Sequence, residues 1–452
     1  MLITNATVIT CEKPNRVLTQ HAVLLSGGRI ARLGPSAKLA VEHPRARKLD
    51  AQGQLIMPGA ICAHTHFYGA FARGLALAAP APRDFPEILE MLWWRLDRSL
   101  SPEDVRVSAL VTLADAIRSG TTTLFDHHSS PSCVDGSLDV IADAVEQAGV
   151  RASLCYEVSD RDGPAMADAA IRENVRFLKR LSANPRPWLS ASFGLHASLT
   201  LSGSTLQACR AALPDGAGFH VHVAEHEQDQ YDSLQKSGLR VVERLHAHEI
   251  LGERSIAAHC VHVDAAEVAL LSSTRTWVTH QPRSNMNNAV GAAPVESMLR
   301  SGVGVCLGND GFSSSMWDEW KAAYLQQKAM SRDPRRMDAN SLAEIALSNN
   351  AALANAFFPQ THVGAIVEGA AADLILVDYQ SPTPIDSGNF PWHVVFGLQS
   401  GMVTTTIVGG RVLMKDRKLT TLNEAELAER SRRLAARAWK RIRDGGGHDA
   451  GE

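Results

Sequence analysis

Between Leu55 and Phe312 the chain repeats one rhythm: an apolar run of strand composition, then an amphipathic helical stretch. The runs are LIMPGAICAHTH (55–66), TTTLFDHH (121–128), RASLCYE (151–157), WLSASFGLH (188–196), GFHVHVAE (218–225), SIAAHC (255–260), TWVTHQ (276–281) and VGVCLGND (303–310). The helical stretches carry their own punctuation; PEDVRVSALVTLADAIRSG follows Ser101 and ends at Gly120. Eight strand–helix units predict an α/β chain whose strands close into a (β/α)8 TIM-like barrel more readily than an open sheet. LITNATVIT and HAVLLSGGRIARLG near the start resemble ADLILVDY (372–379) and VTTTIVGGRVLMKD (403–416) near the end in their short apolar runs, and two of these stretches hold Gly-Gly turns. These stretches predict a small β-sandwich domain from residues 1–58 and 362–420, a barrel over 59–361 and a C-terminal helix over 421–445.

Composition narrows the partners. Net charge is -3, and no basic stripe precedes the C-terminal helix, which argues against nucleic acid. No apolar stretch reaches the roughly 20 residues of a membrane helix, and the N-terminus lacks a signal-peptide pattern. Seven scattered cysteines without a CxxC pair suit reduced thiols in the cytoplasm.

The 18 histidines are the unusual figure. Each apolar run ends in polar or ionisable residues: His64 and His66, Asp126 to His128, Glu157, His196, His222 with Glu225, His259, His280, and Asp310. Barrel active sites sit at the C-terminal ends of strands. His64 and His66, at i and i+2, project to one face and can hold one metal ion. His222, His259 and Asp310 join them from other strand ends. Three or four such ligands, with a position left for water, are the pattern of a catalytic metal site. Imidazole and carboxylate without thiolate suit Zn(II), and also Fe(II) or Mn(II). In FHVHVAEH (219–226), alternation makes His220 and His222 equivalent and does not separate them. HExxH, GxSxG, Walker A and HxE…PCxxC patterns are absent.

MPGAICAHTH, HVHVAEH, AHCVH, HQPRSN and LGNDG occur in the order and spacing of the amidohydrolase superfamily. The chain resembles its branch of cytosine-, guanine- and adenosine-type deaminases and triazine hydrolases. Through HTHFYGAFARGLA and DFPEILEMLWWRLDR it resembles more narrowly the SsnA-type aminohydrolases. The resemblance covers nearly the whole chain. It implies His64, His66, His222 and Asp310 as metal ligands, His259 beside an activated water, and Glu225 as the proton-shuttling acid. His220 then becomes a hydrogen-bonded neighbour, and His226 faces away from the metal. Asn309 stands where most relatives have Thr. Leu195 and His196 end the fourth strand, where binuclear relatives carry a bridging lysine, so one divalent metal ion is expected, zinc before iron or manganese.

The implied reaction is hydrolytic deamination of an N-heterocycle of purine, pterin, pyrimidine or triazine type by metal-activated water. Ring opening of a cyclic amide, or chloride displacement, on the same fold is the alternative. A barrel that had lost its chemistry would have lost ligands, and all of them are present. Substrate contacts are expected from His196, His280, Glu87 and Tyr156. Glu157, Trp93 and Trp94 are candidates near the same mouth, weighed against ordinary core roles. The basic amphipathic C-terminal helix is expected to pack on the barrel or on a second subunit of a homodimer or higher homo-oligomer.

Overall fold

The computed structural model describes residues 1–77 and 80–445. Gly59 divides the first predicted strand: Leu55–Pro58 enters a sheet built from the chain termini, and Ala60–Thr65 enters a parallel one. A Cβ at Gly59 would lie 2.2 Å from the Thr122 side chain, so only glycine fits the crossing.

Leu55–Pro58 runs parallel to Leu2–Ile9 and antiparallel to Leu374–Val377. It stitches both ends of the chain into one nine-stranded sheet. Where a sandwich of two sheets is expected from the sequence, hydrogen bonding runs unbroken, because this central strand pairs with both terminal halves. The sheet buries its own apolar cluster, including Ile3, Val8, Ile56, Leu374 and Ile407.

The middle of the chain is mixed α/β with parallel strands. Ala60–Thr65, Thr121–His128, Arg151–Tyr156 and Leu189–Ala191 form a four-stranded sheet. Phe193–Ala197, Phe219–Val223, Ile256–His259, Trp277–His280 and Val305–Leu307 form a five-stranded one. The predicted fourth strand thus breaks at Ser192. Asn174, on the helix Pro164–Ala183, accounts for the break. Its side chain accepts from the N–H groups of Tyr156 (3.0 Å) and Gly194 (3.1 Å) and donates to the Tyr156 carbonyl at 2.7 Å. A side-chain amide there joins the main-chain bonds from Ser192 N–H to the Leu154 carbonyl (3.2 Å) and from Val158 N–H to the Gly194 carbonyl (3.1 Å).

Asn350 does the same between the first and last parallel strands. It accepts from Leu307 N–H at 2.7 Å and donates to the carbonyls of Ile61 (2.6 Å) and Leu307 (3.0 Å). Single parallel bridges accompany each asparagine, Val158 with Leu195 and Thr65 with Asp310. Asn350→Leu keeps the volume and leaves three buried backbone groups unpaired. It is expected to cost about 3 kcal/mol at roughly 1 kcal/mol per group, read as a lower urea midpoint at unchanged slope.

The helix Pro102–Ser119 follows a capping box in which Ser101 and Asp104 satisfy each other's backbone N–H, and it ends at Gly120 with φ 79°. No helix among the described residues is long and apolar enough to cross a membrane.

Candidate active site

The C-terminal ends of the parallel strands converge on one cavity, and the backbone is forced there. Ala224, His259, Cys260 and Asp310 all have positive φ, between 46° and 72°. Each such non-glycine position costs on the order of 1–3 kcal/mol, and these positions concentrate where side chains are aimed at chemistry.

His64, His66, His222, His259, Asp310 and Glu225 come together at this point. The imidazoles are oriented from behind. His66 Nδ1 donates to the His127 carbonyl at 2.5 Å, and His222 Nδ1 donates to the His196 carbonyl at 2.9 Å. His64 Nδ1 shares a 2.9 Å hydrogen bond with His220 Nε2. These bonds turn the three Nε2 lone pairs inward. His66 Nε2 lies 3.3 Å from His222 Nε2 and 3.0 Å from Asp310 Oδ1, and His64 Nε2 lies 3.7 Å from the same carboxylate. Ligand atoms placed tetrahedrally about 2.0–2.1 Å from a cation sit roughly 3.3 Å apart, so the spacing fits one divalent ion. The buried Nε2 atoms of His64 and His259 have no hydrogen-bond partner, which leaves the first free to ligate a metal and the second free to meet a water. Burial pushes the His64 imidazole down to about 3 and so keeps it neutral and able to ligate.

His220 stands behind His64, away from this convergence. Its wholly buried ring also lies 3.9 Å from the Cys155 thiol. His226 stands at the start of the next helix. It caps the helix Glu227–Ser237 by accepting from Gln228 N–H, and it lines the cavity mouth.

Glu225 is 7% exposed. It accepts from Asn288 Nδ2 at 3.2 Å and faces His259 Nε2 at 3.4 Å. Burial first, and then the charge of Asp310, raise its carboxyl to about 7, against the opposing pull of His259. Asp310 behaves oppositely. Burial opposes ionisation, yet the facing imidazoles of His64 and His66 hold it well below the usual carboxylate range. Ser284 also donates to it. Two carboxyl groups in one cavity thus favour different protonation states, the arrangement that separates an acid from a base.

The HQPRSN motif (280–285) and Asn288, three residues past it, supply the supports. Ser284 holds Asp310, Asn285 Oδ1 takes the Nδ1 proton of His259 at 2.9 Å, and Asn288 holds Glu225. Gln281 accepts from the His259 backbone N–H at 3.1 Å. None of these roles is assigned in the sequence reading, although Ser284 and Asn288, four apart, share a helix face.

Of the expected substrate contacts, His196 lines the cavity, with Nδ1 at 2.7 Å from Thr200 Oγ1. Three others do not reach it. Glu87 pairs with Arg83 on the outer side of its turn; neighbouring Phe85 and Leu89 line the cavity instead. Tyr156 lies on the opposite face of its strand from Cys155, which faces His220, and its hydroxyl accepts from Ser130 N–H at 3.0 Å. His280 is wholly buried, with neither ring nitrogen partnered, and it is not among the residues that line the cavity. One residue not singled out lines the cavity instead. Asp97, 1% exposed, lines the cavity, accepts from Ser129 Oγ at 2.9 Å and pairs with Arg161. Arg161 in turn lies 5.5 Å from the Trp94 ring centroid.

The model of the Amidohydrolase family matches residues 55–413. Over 447 residues the chain is 31% identical to a 5-methylthioadenosine/S-adenosylhomocysteine deaminase of Pelotomaculum thermopropionicum, covering 98% of this chain and 99% of that one. It is 30% identical to a 5'-deoxyadenosine deaminase of Methanosarcina mazei, with the same coverage. Among solved structures, an adenosine deaminase from Xanthomonas campestris with bound zinc superposes with a TM-score of 0.84 at 25% identity, covering 98% of both chains. The chain belongs to the amidohydrolase family and is a hydrolase.

Proposed function

We propose that the chain is a mononuclear, zinc-dependent aminohydrolase that deaminates an N-heterocycle, with an adenosine-type purine as the first candidate. The observation that carries this reading is the pairing of a buried Glu225, held near neutrality, with a convergent set of imidazole lone pairs beside an ionised Asp310. The alternation of strands and the two asparagine-sealed seams support a single closed (β/α)8 barrel as the frame, with the terminal sheet as a second domain.

In this reading His64, His66, His222 and Asp310 hold the ion, which supplies Lewis-acid activation of a water molecule. Asp310, kept ionised and fixed by Ser284, accepts the water's proton. His259, locked by Asn285 and Gln281, orients the attacking oxygen towards the ring carbon that bears the amine. Glu225 enters protonated, donates to the adjacent ring nitrogen, takes up the proton of the new hydroxyl group as the carbonyl forms, and passes it to the departing amine. The proton held by Asp310 then returns to Glu225 and resets the pair. Asn288 keeps the Glu225 carboxyl aimed during these transfers. Trp94 offers a flat wall for a planar ring, and Asp97 an acceptor for its polar edge. Halide displacement needs no such acid for a leaving amine, so Glu225 favours deamination over that alternative. All seven cysteines are free thiols, which suits a reducing compartment, and we assign the chain to the cytoplasm.

The test is an ammonia-release panel on metal-loaded protein, covering adenosine and its 5'-modified forms, guanine, a pterin, cytosine and an aminotriazine. Release from at least one purine is expected, and chelation should abolish it. Ring-opened product without ammonia would move the assignment to amide hydrolysis.

A further inference from the structure

The basic helix Glu424–Gly445 takes no part in the reaction above, yet two of its side chains grip the main chain of the cavity wall. Trp439 Nε1 donates to the Phe71 carbonyl at 2.7 Å, just after the strand that carries His64 and His66. Two residues further on, Arg441 Nε donates to the Ser99 carbonyl at 2.6 Å, and its Nη2 reaches Asp104, the capping-box residue. Phe71 and Ser99 bracket the segment that contributes Phe85, Leu89, Trp93, Trp94 and Asp97 to the cavity. One helical turn therefore holds both ends of that wall.

The rest of the helix is tied to the same neighbourhood. Arg430 pairs with Glu103 at 2.9 Å, and Glu424 with Arg118 at 2.7 Å. On its inner side the wall is braced at the chemistry itself. The Trp93 ring lies so close to Gly311, the residue after Asp310, that a Cβ there would meet it at 2.9 Å; at Gly69 the distance is 3.7 Å. A shift of the wall's ends is thus transmitted to an indole packed on the turn that presents Asp310. The carbonyls of Phe71 and Ser99 belong to buried residues, where an acceptor left without a donor is costly.

We propose that Trp439 and Arg441 are positioning residues: the C-terminal helix clamps the wall that carries Phe85, Leu89, Trp93, Trp94 and Asp97 and thereby sets substrate affinity without touching substrate. The inference rests on the reading of this cavity as the substrate pocket.

The test uses full-length, metal-loaded protein and the variants Trp439→Phe, which keeps the ring and removes the N–H, and Arg441→Met, with Arg441→Lys as the conservative partner. Two readouts are taken. The first is KM and kcat for the fastest ammonia-releasing heterocycle of the panel. The second is the rate of tryptic cleavage at the exposed Arg73 and Arg83 of the wall. Loss of one clamp bond is expected to raise KM about tenfold, the equivalent of about 1.4 kcal/mol. Metal content and kcat should stay near the parent values, cleavage should speed up, and Arg441→Lys should recover part of both effects. Unchanged KM and unchanged cleavage in Trp439→Phe and Arg441→Met would overturn the clamp, as would a parallel loss of kcat and metal. A silent ammonia panel would count against the deaminase reading alone and leave the tryptic comparison to decide the clamp.

Discussion

Glu225→Gln is expected to lower kcat by about 10²–10⁴-fold, the usual contribution of a positioned general acid–base, while the bound metal stays at parent stoichiometry. Glutamine keeps the shape and can still meet Asn288, which holds the carboxyl at 3.2 Å, so the fold has no reason to change. What disappears is the transferable proton. The pH profile carries the second signature. Burial, reinforced by Asp310, raises this carboxyl to about 7, and the reaction needs it protonated. In the parent enzyme kcat should therefore hold level below that value and fall as pH rises through it. The glutamine variant should lose that limb. Metal loss together with activity would instead make Glu225 a ligand.

The second large effect separates two histidines that strand alternation leaves equivalent. His222→Ala removes an Nε2 that lies 3.3 Å from His66 Nε2 inside the convergent set, and the purified variant should carry far less than one metal per chain. His220→Ala removes the partner of His64 Nδ1 at 2.9 Å and the neighbour of the Cys155 thiol, but no inward-facing ligand atom. Losing a supporting bond of that kind weakens metal affinity by about 10–100-fold, which a tight site tolerates at micromolar metal. Elemental analysis of both variants after identical dialysis checks the contrast. Equal metal loss in both would mean that His220 is a ligand.

Much of this arrangement was legible because it is local. Apolar runs with polar ends marked the strands and the face on which their chemistry gathers, and HxH spacing marked one metal pair. What could not be read depends on contacts between distant segments. Asn174 and Asn350 look like ordinary helix residues, yet each adds side-chain bonds to the main chain at a seam between distant strands. Asp97 and Arg161 are 64 positions apart, and no local pattern joins them. The misplaced contacts have readable causes in hindsight. Arg83 stands four residues before Glu87, the spacing at which opposite charges pair along a helix. Tyr156 follows by one position a cysteine that faces inward, so alternation turns it outward.

The central claim is that one ion, held by His64, His66, His222 and Asp310, is required for ammonia release. It is tested most directly by titrating chelator-stripped protein with Zn(II) while measuring bound metal and ammonia production on the same samples. The account predicts that activity rises in proportion to bound zinc and reaches its plateau at one ion per chain. Full activity in the stripped protein, or a plateau reached only at two ions per chain, would contradict it.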